Sequence, residues 1–152
     1  MEFRSALVGR WVGEGRGWYS TIDDFGYHEM VEVLDPGRPF LKYQQTTQTL
    51  DGSPLHVESG YFRFPTEQRI ELVVAQPTGI GEALAGEIHQ DGPRRVASLT
   101  SQGVARTGTA KFVEQTRRVM SLEGDELIFE FWMAAVGQPM SQHLASRLRR
   151  DA

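Results

Sequence analysis

The side chains with most chemistry available to them are four histidines, His28, His56, His89 and His143, in a chain without cysteine. The lack of Cys removes thiolate metal sites, CxxC redox chemistry, disulfides and cysteine nucleophiles together. A metal would therefore be held by imidazole, by carboxylate or within an organic cofactor. No two histidines stand in the HExxH spacing that places a zinc ion on one helix face. A GxSxG elbow, a GxxxxGK[ST] phosphate loop and a GxGxxG turn within a βαβ unit are all missing. His28 and His89 lie among polar residues beside turns and read as surface groups. His56, in Pro54-Leu55-His56-Val57-Glu58, shares an alternating face with Gly60, Phe62 and Phe64. It is either a buried, hydrogen-bonded ring or one that lines a pocket. His143, between a proline-containing turn and an apolar segment, reads on its own as structural.

The elements that would position these groups are strands. Turn signals recur at Asp35-Pro36-Gly37, Asp51-Gly52-Ser53-Pro54, Pro77-Thr78-Gly79, Asp91-Gly92-Pro93 and Glu123-Gly124-Asp125. Between them lie candidate strands at 8–18, 25–34, 39–49, 54–64, 68–76, 79–89, 94–101, 111–122 and 125–136. No stretch before Gln138 has a helical period. In the tail, Leu144, Ser146 and Leu148 alternate, and a closing sheet needs a last strand to pair with the first. Residues 1–152 carry no linker, repeat or low-complexity tract and read as one domain.

Alternation is clean at Leu127, Phe129, Phe131 and Met133, but mixed elsewhere. Tyr43 to Thr49 carries polar side chains on both faces, and the series Phe112, Glu114, Thr116, Arg118 is mixed too. A sandwich with a dry core wants one apolar face on every strand. A barrel enclosing a cavity tolerates polar and small inward residues. The expected fold is thus an all-β, antiparallel up-and-down barrel of about ten strands.

Composition narrows the partners. Sixteen Lys and Arg against 20 Asp and Glu give a net charge of −4, which offers nucleic acid no basic field. Arg147, Arg149 and Arg150 read as a solvated basic end. No apolar run at the N-terminus suits a signal peptide or a membrane span, so a cytoplasmic protein without membrane contact is expected.

One strand is unusual. From Gly9 to Gly17 every second residue is Gly or Trp, so one face carries Trp11 and otherwise no side chain. Interior strand glycine is entropically unfavourable and packs nothing. Either the strand bends sharply at a barrel corner, or its backbone is kept bare so that something large can lie against it.

These residues resemble the nitrobindins, haem-binding β-barrel proteins similar in shape to lipocalins and fatty-acid-binding proteins. Gly9, Trp11, Gly13 and Gly15 match the family's GxWxGxG motif. The likeness continues through Tyr19-Ser20-Thr21-Ile22 (YPTI in the family), Pro39-Phe40-Leu41, Pro54-Leu55-His56 and Glu58-Ser59-Gly60-Tyr61. It runs on through Ala75-Gln76-Pro77-Thr78-Gly79, Thr109-Ala110-Lys111 and Met133-Ala134-Ala135-Val136 to Gly137-Gln138-Pro139-Met140 with His143-Leu144.

The resemblance implies one haem b per chain in the barrel mouth, its iron held by a proximal histidine at the position of His143. Thr21 and Lys111 match family haem-contact positions, and Leu55, His56 and Met133 match positions lining the pocket. Ser20 departs from the family's proline. A ligating imidazole also needs an acceptor on its other ring nitrogen, which the sequence does not name. The implied activity is binding of nitric oxide and isomerisation of peroxynitrite to nitrate at ferric haem, with small-molecule ligands and no obligate protein partner. A non-catalytic lipocalin-like carrier of a small apolar ligand, or a haem or nitric-oxide sensor, would share the barrel.

Overall fold

A computed structural model describes residues 2–19, 22–135 and 137–151, apart from the side chains of Tyr19, Ile22 and Ala135. Thr21, expected at the site, lies outside the described residues. A short helix, α1 (Phe3–Leu7), precedes ten strands. They are β1 (Gly9–Tyr19), β2 (Ile22–Arg38), β3 (Phe40–Thr49), β4 (Pro54–Thr66) and β5 (Arg69–Gln76), followed by β6 (Ile80–Asp91), β7 (Arg94–Arg106), β8 (Val113–Glu123), β9 (Glu126–Ala135) and β10 (Ser141–Arg150). Each pairs antiparallel with its sequence neighbour, and β10 returns to β1 to close the barrel. Closure runs from Trp11 opposite Arg150 to Gly17 opposite Leu144, and it leaves no edge strand unpaired.

Three local expectations change. Asp35-Pro36-Gly37 does not end β2. The strand runs through it to Arg38 with a register shift after Leu34, and Gly37 takes φ +75°. The helix α1 is too short to show a period, and tertiary contacts hold it. Phe3 and Leu7 are buried in the core, and Trp11 Nε1 donates to the Leu7 carbonyl at 3.0 Å. Arg150 is not simply a solvated charge. Its guanidinium donates to the carbonyls of Val8 (2.6 Å) and Ala6 (2.8 Å) and lies 4.3 Å from the centre of the Trp11 ring. A cation at the carbonyls of a helix C-terminus is favourable.

The interior is layered. Below, where α1 plugs the end, Trp11, Leu41, Phe62, Leu72, Leu99, Met120, Leu127 and Leu148 form an apolar floor. Above it, Glu29, Gln45, Glu58, Glu82, Thr116, Arg118 and Ser146 form a buried polar belt. The polar inward positions of β3 and β8 that argued for a cavity barrel thus build this belt. The opposite end is the mouth. It carries the connections at 50–53, 77–79 and 107–112, together with residues 137–140.

The glycine face of β1 is covered. A Cβ on Gly15 would strike the Tyr27 ring, one on Gly17 the Phe25 ring, and one on Gly13 the Arg147 backbone of β10. The second reading of the motif is therefore met, with neighbouring strands lying against the bare backbone. Gly13 allows close approach of a strand, while Gly15 and Gly17 admit aromatic rings of β2 rather than a bare wall.

Candidate haem site in the barrel mouth

Antiparallel closure brings to one end residues that lie far apart in the chain. His56 opens β4, Met133 lies near the end of β9, Lys111 precedes β8, and His143 lies at the start of β10. His56 and Met133 are half-buried, Lys111 is exposed on the rim, and Leu55 is exposed on the opposite face of β4 from His56. Phe131, Met133 and Leu144 are half-buried beside the belt, with Phe131 between Arg118 and Leu144 and Met133 between Thr116 and Ser141 in the strand register.

His143 sits at an irregularity. The register of β10 against β9 shifts between Gln142 and Leu144, making His143 the extra residue of a bulge. Bulges re-aim a side chain away from regular alternation. Its Nδ1 lies 2.9 Å from the Ser141 carbonyl oxygen. A carbonyl only accepts, so Nδ1 carries the proton and Nε2 of the neutral ring carries the lone pair. Ser141 O is the acceptor that the sequence left unnamed. Because it is a backbone atom, no side-chain pattern could signal it.

His56 is held from several sides. Thr47 Oγ1 accepts from the His56 N–H at 3.0 Å and donates to the His56 carbonyl at 3.2 Å. The ring Nε2 lies 3.5 Å from Glu58 Oε1. Glu58 in turn accepts from the Tyr43 hydroxyl at 2.7 Å and from Arg118 Nη1. Arg118 Nη2 reaches Glu82 at 2.9 Å, and Glu82 also accepts from Thr116 and Gln76. The chain of contacts crosses the barrel from β8 to β4 and β6, and the Arg118 guanidinium lies 5.1 Å from the Phe131 ring centre.

Charge follows from these contacts. Burial acts to push the Glu58 carboxyl up, but Arg118 with the His56 and Tyr43 contacts outweighs it and holds it down at about 2. Burial acts to lower Arg118, yet Glu58, Tyr43 and Glu82 raise it overall, so the pair is ionised. Burial and the Glu58 charge push the Tyr43 phenol well up. Glu29 differs. Burial raises it to about 7, only partly opposed by nearby Ser146 and Gln45. Glu29 Oε2, Gln45 Oε1 and Ser146 Oγ lack a well-formed hydrogen bond.

Sequence reasoning missed the belt. Its signal was present as single charged residues on otherwise apolar faces, Glu82 between Ile80 and Leu84 and Arg118 beside Met120. Two grooves on the outer wall, of about 600 and 620 Å³, contain neither His143, His56 nor Met133.

The mouth therefore combines an imidazole whose Nδ1 faces a backbone carbonyl, an apolar rim and no thiolate. The profile of the THAP4-like, heme-binding beta-barrel domain matches residues 3–150. The chain belongs to this haem-binding family. Its relatives are similar over nearly full length. A peroxynitrite isomerase of Nocardia farcinica is 44% identical over 147 residues, covering 95% of this chain and 87% of that protein. Peroxynitrite isomerase 2 of Mycobacterium ulcerans is 42% identical, covering 96% and 91%. The crystal structure of Rv2717c from M. tuberculosis superposes with a TM-score of 0.93 at 40% identity, covering 97% of this chain and 94% of that one. The closed ten-strand barrel is thus shared by this THAP4-like chain and a solved relative.

The donor set fits the family's cofactor. His143 brings an imidazole whose Nδ1 lies against the Ser141 carbonyl, Phe131, Met133 and Leu144 bring apolar surface for a flat macrocycle, and Lys111 stands on the rim.

Proposed function

We propose that this chain isomerises peroxynitrite to nitrate at a ferric haem b, one per chain, with His143 as the axial ligand, and that it also binds nitric oxide. The observation that carries the ligand assignment is the 2.9 Å contact between His143 Nδ1 and Ser141 O, which leaves Nε2 as the electron-pair donor. When bound, haem supplies an iron able to weaken a peroxide bond, and the protein supplies orientation, access and axial ligation. Phe131, Met133 and Leu144 shield that region from water. Lys111 would pair with a propionate, at an exposed rim where such a pair is worth about 0–1 kcal/mol. Thr21 is proposed as a further haem contact, whereas Leu55 projects from the outer face of β4, away from the pocket it was expected to line. The names of the relatives from N. farcinica and M. ulcerans support the activity, and a chain without cysteine suits a reducing cytoplasm.

Absorption titration with haem tests the ligand. The wild-type protein should give a ferric band distinct from free haem, and His143→Ala should abolish it. A wild-type spectrum identical to that of free haem would overturn the assignment. Catalysis is tested separately: loaded protein should speed peroxynitrite decay and raise nitrate yield, and values matching buffer would leave a binding protein only.

A further inference from the structure

Glu29, Gln45 and Ser146 meet inside the barrel from three strands, and none of them serves the chemistry proposed above. Glu29 lies opposite Gly13 of β1, and Ser146 of β10 lies opposite Gly15. At these inward positions β1 offers only glycine, so Ser146 reaches the Glu29 carboxyl across it, and Gln45 reaches the carboxyl from β3. The three residues are 4%, 5% and 4% exposed, yet Glu29 Oε2, Gln45 Oε1 and Ser146 Oγ have no well-formed hydrogen bond.

With the carboxyl ionised, the Glu29 and Gln45 oxygens only accept, and the Ser146 hydroxyl is the one donor among the three atoms. A proton on Glu29 adds the second donor. The acid can then donate to Gln45 Oε1 while Ser146 donates to the carboxyl, and no buried acceptor is stranded. The electrostatics agree. Burial pushes the Glu29 carboxyl up to about 7, with Glu58 of β4 raising it and Arg118 of β8 lowering it. Among the described residues, the other titratable groups facing this point are Tyr43 of β3, whose phenol stays neutral, and Glu82 of β6, which pairs with Arg118.

We infer that Glu29, Gln45 and Ser146 form a buried proton-binding site, and that this site takes up its proton when an anion binds in the mouth. The linkage rests on the haem reading above, whereas the proton site does not. His143 stands three residues from Ser146 along β10, about 10 Å at the rise of an extended strand. Two like charges about 10 Å apart at a protein's effective dielectric interact by about one pH unit, or about tenfold in affinity. An anion that replaces water on the iron therefore favours the neutral acid, and by reciprocity the ionised carboxylate weakens the anion. The step moves one proton from solvent to the Glu29 carboxylate and no electron. It holds the charge inside the barrel constant as an anionic substrate enters.

Infrared difference spectra of the purified chain test the site. The wild-type minus Glu29→Gln spectrum should carry a protonated-carboxyl band at about pH 5 that disappears through about 7. A band absent at the acid end, or one that survives unchanged to about pH 9, overturns the site. Gln is close in shape to the neutral acid, so this variant keeps the packing. Ser146→Ala removes a donor that favours the ionised form, so the band should persist to higher pH. An unmoved titration overturns the part given to Ser146. Azide on ferric haem-loaded protein tests the linkage. Hydroxide competes for the iron in both proteins alike, so the quantity to follow is the ratio of wild-type to Glu29→Gln azide affinity. It should fall about tenfold between about pH 5 and about pH 9. A ratio independent of pH overturns the linkage. Failure of the wild-type protein to form a ferric haem band is a different result. It overturns the haem reading and the linkage with it, while the infrared titration still decides the proton site.

Discussion

The Tyr27 ring occupies the space that a side chain on Gly15 would need, and Phe25 does the same over Gly17. The two strands pair in register, Gly15 opposite Tyr27 and Gly17 opposite Phe25, so each glycine lies beside the ring it admits. The motif's empty face is a mould for β2 at the mouth end of the barrel.

Gly15→Ala should destabilise the protein by about 1–3 kcal/mol, the usual range for a forced overpacking. Shortening the ring with Tyr27→Leu should make the double variant less unstable than the two single losses added together. Denaturant midpoints measure the cycle, and strict additivity would show that the two residues do not share that space.

Trp11→Ala should cost about 3–5 kcal/mol, as for deletion of a large buried aromatic side chain. It also removes the hydrogen bond to Leu7 and the ring beneath Arg150. Amide exchange in α1 should therefore accelerate more than in β5. Unaltered protection of residues 3–7 would mean that the helix docks independently of Trp11.

Stability should have an acid and a neutral limb. Glu58 is held low, at about 2 against an ordinary 4.5, so its contribution is present above 4.5 and is lost as pH falls through 2. Glu29 is raised to about 7, so its contribution is present below 4.5 and is lost as pH rises through 7. The neutral limb should amount to about 3 kcal/mol and should vanish in Glu29→Gln. Urea midpoints from pH 4 to 8 decide this, and a wild-type profile flat between 4.5 and 7 would exclude a neutral Glu29.

Arg118→Met should lower stability by about 3–5 kcal/mol because it strands two buried carboxylates. Adding Glu58→Gln and Glu82→Gln should restore part of the loss. If the triple variant is less stable than Arg118→Met alone, hydrogen bonding by the carboxylates matters more than their charge.

Much of the barrel was legible along the chain. Turn residues and alternation placed the strands to within a few residues, because period 2 and glycine or proline punctuation are local properties. The helix α1 was not legible. Five residues cannot show a 3.6-residue period, and contacts with Trp11 and Arg150, distant in sequence, hold it.

The candidate site divides in the same way. The sequence by itself determined the all-β class, the lack of thiolate chemistry and, through a resemblance spread over the whole chain, His143 as the residue to examine. Only the tertiary structure decided how His143 is prepared. Its proton is directed by the backbone carbonyl of Ser141 at a bulge, and a bulge depends on the partner strand. Closure alone brings Arg118 to Glu58 and Glu82 and sets His56 across the mouth from His143. The physical reason is that alternation records which face a residue occupies, whereas the charge that meets it inside a barrel comes from strands many residues away.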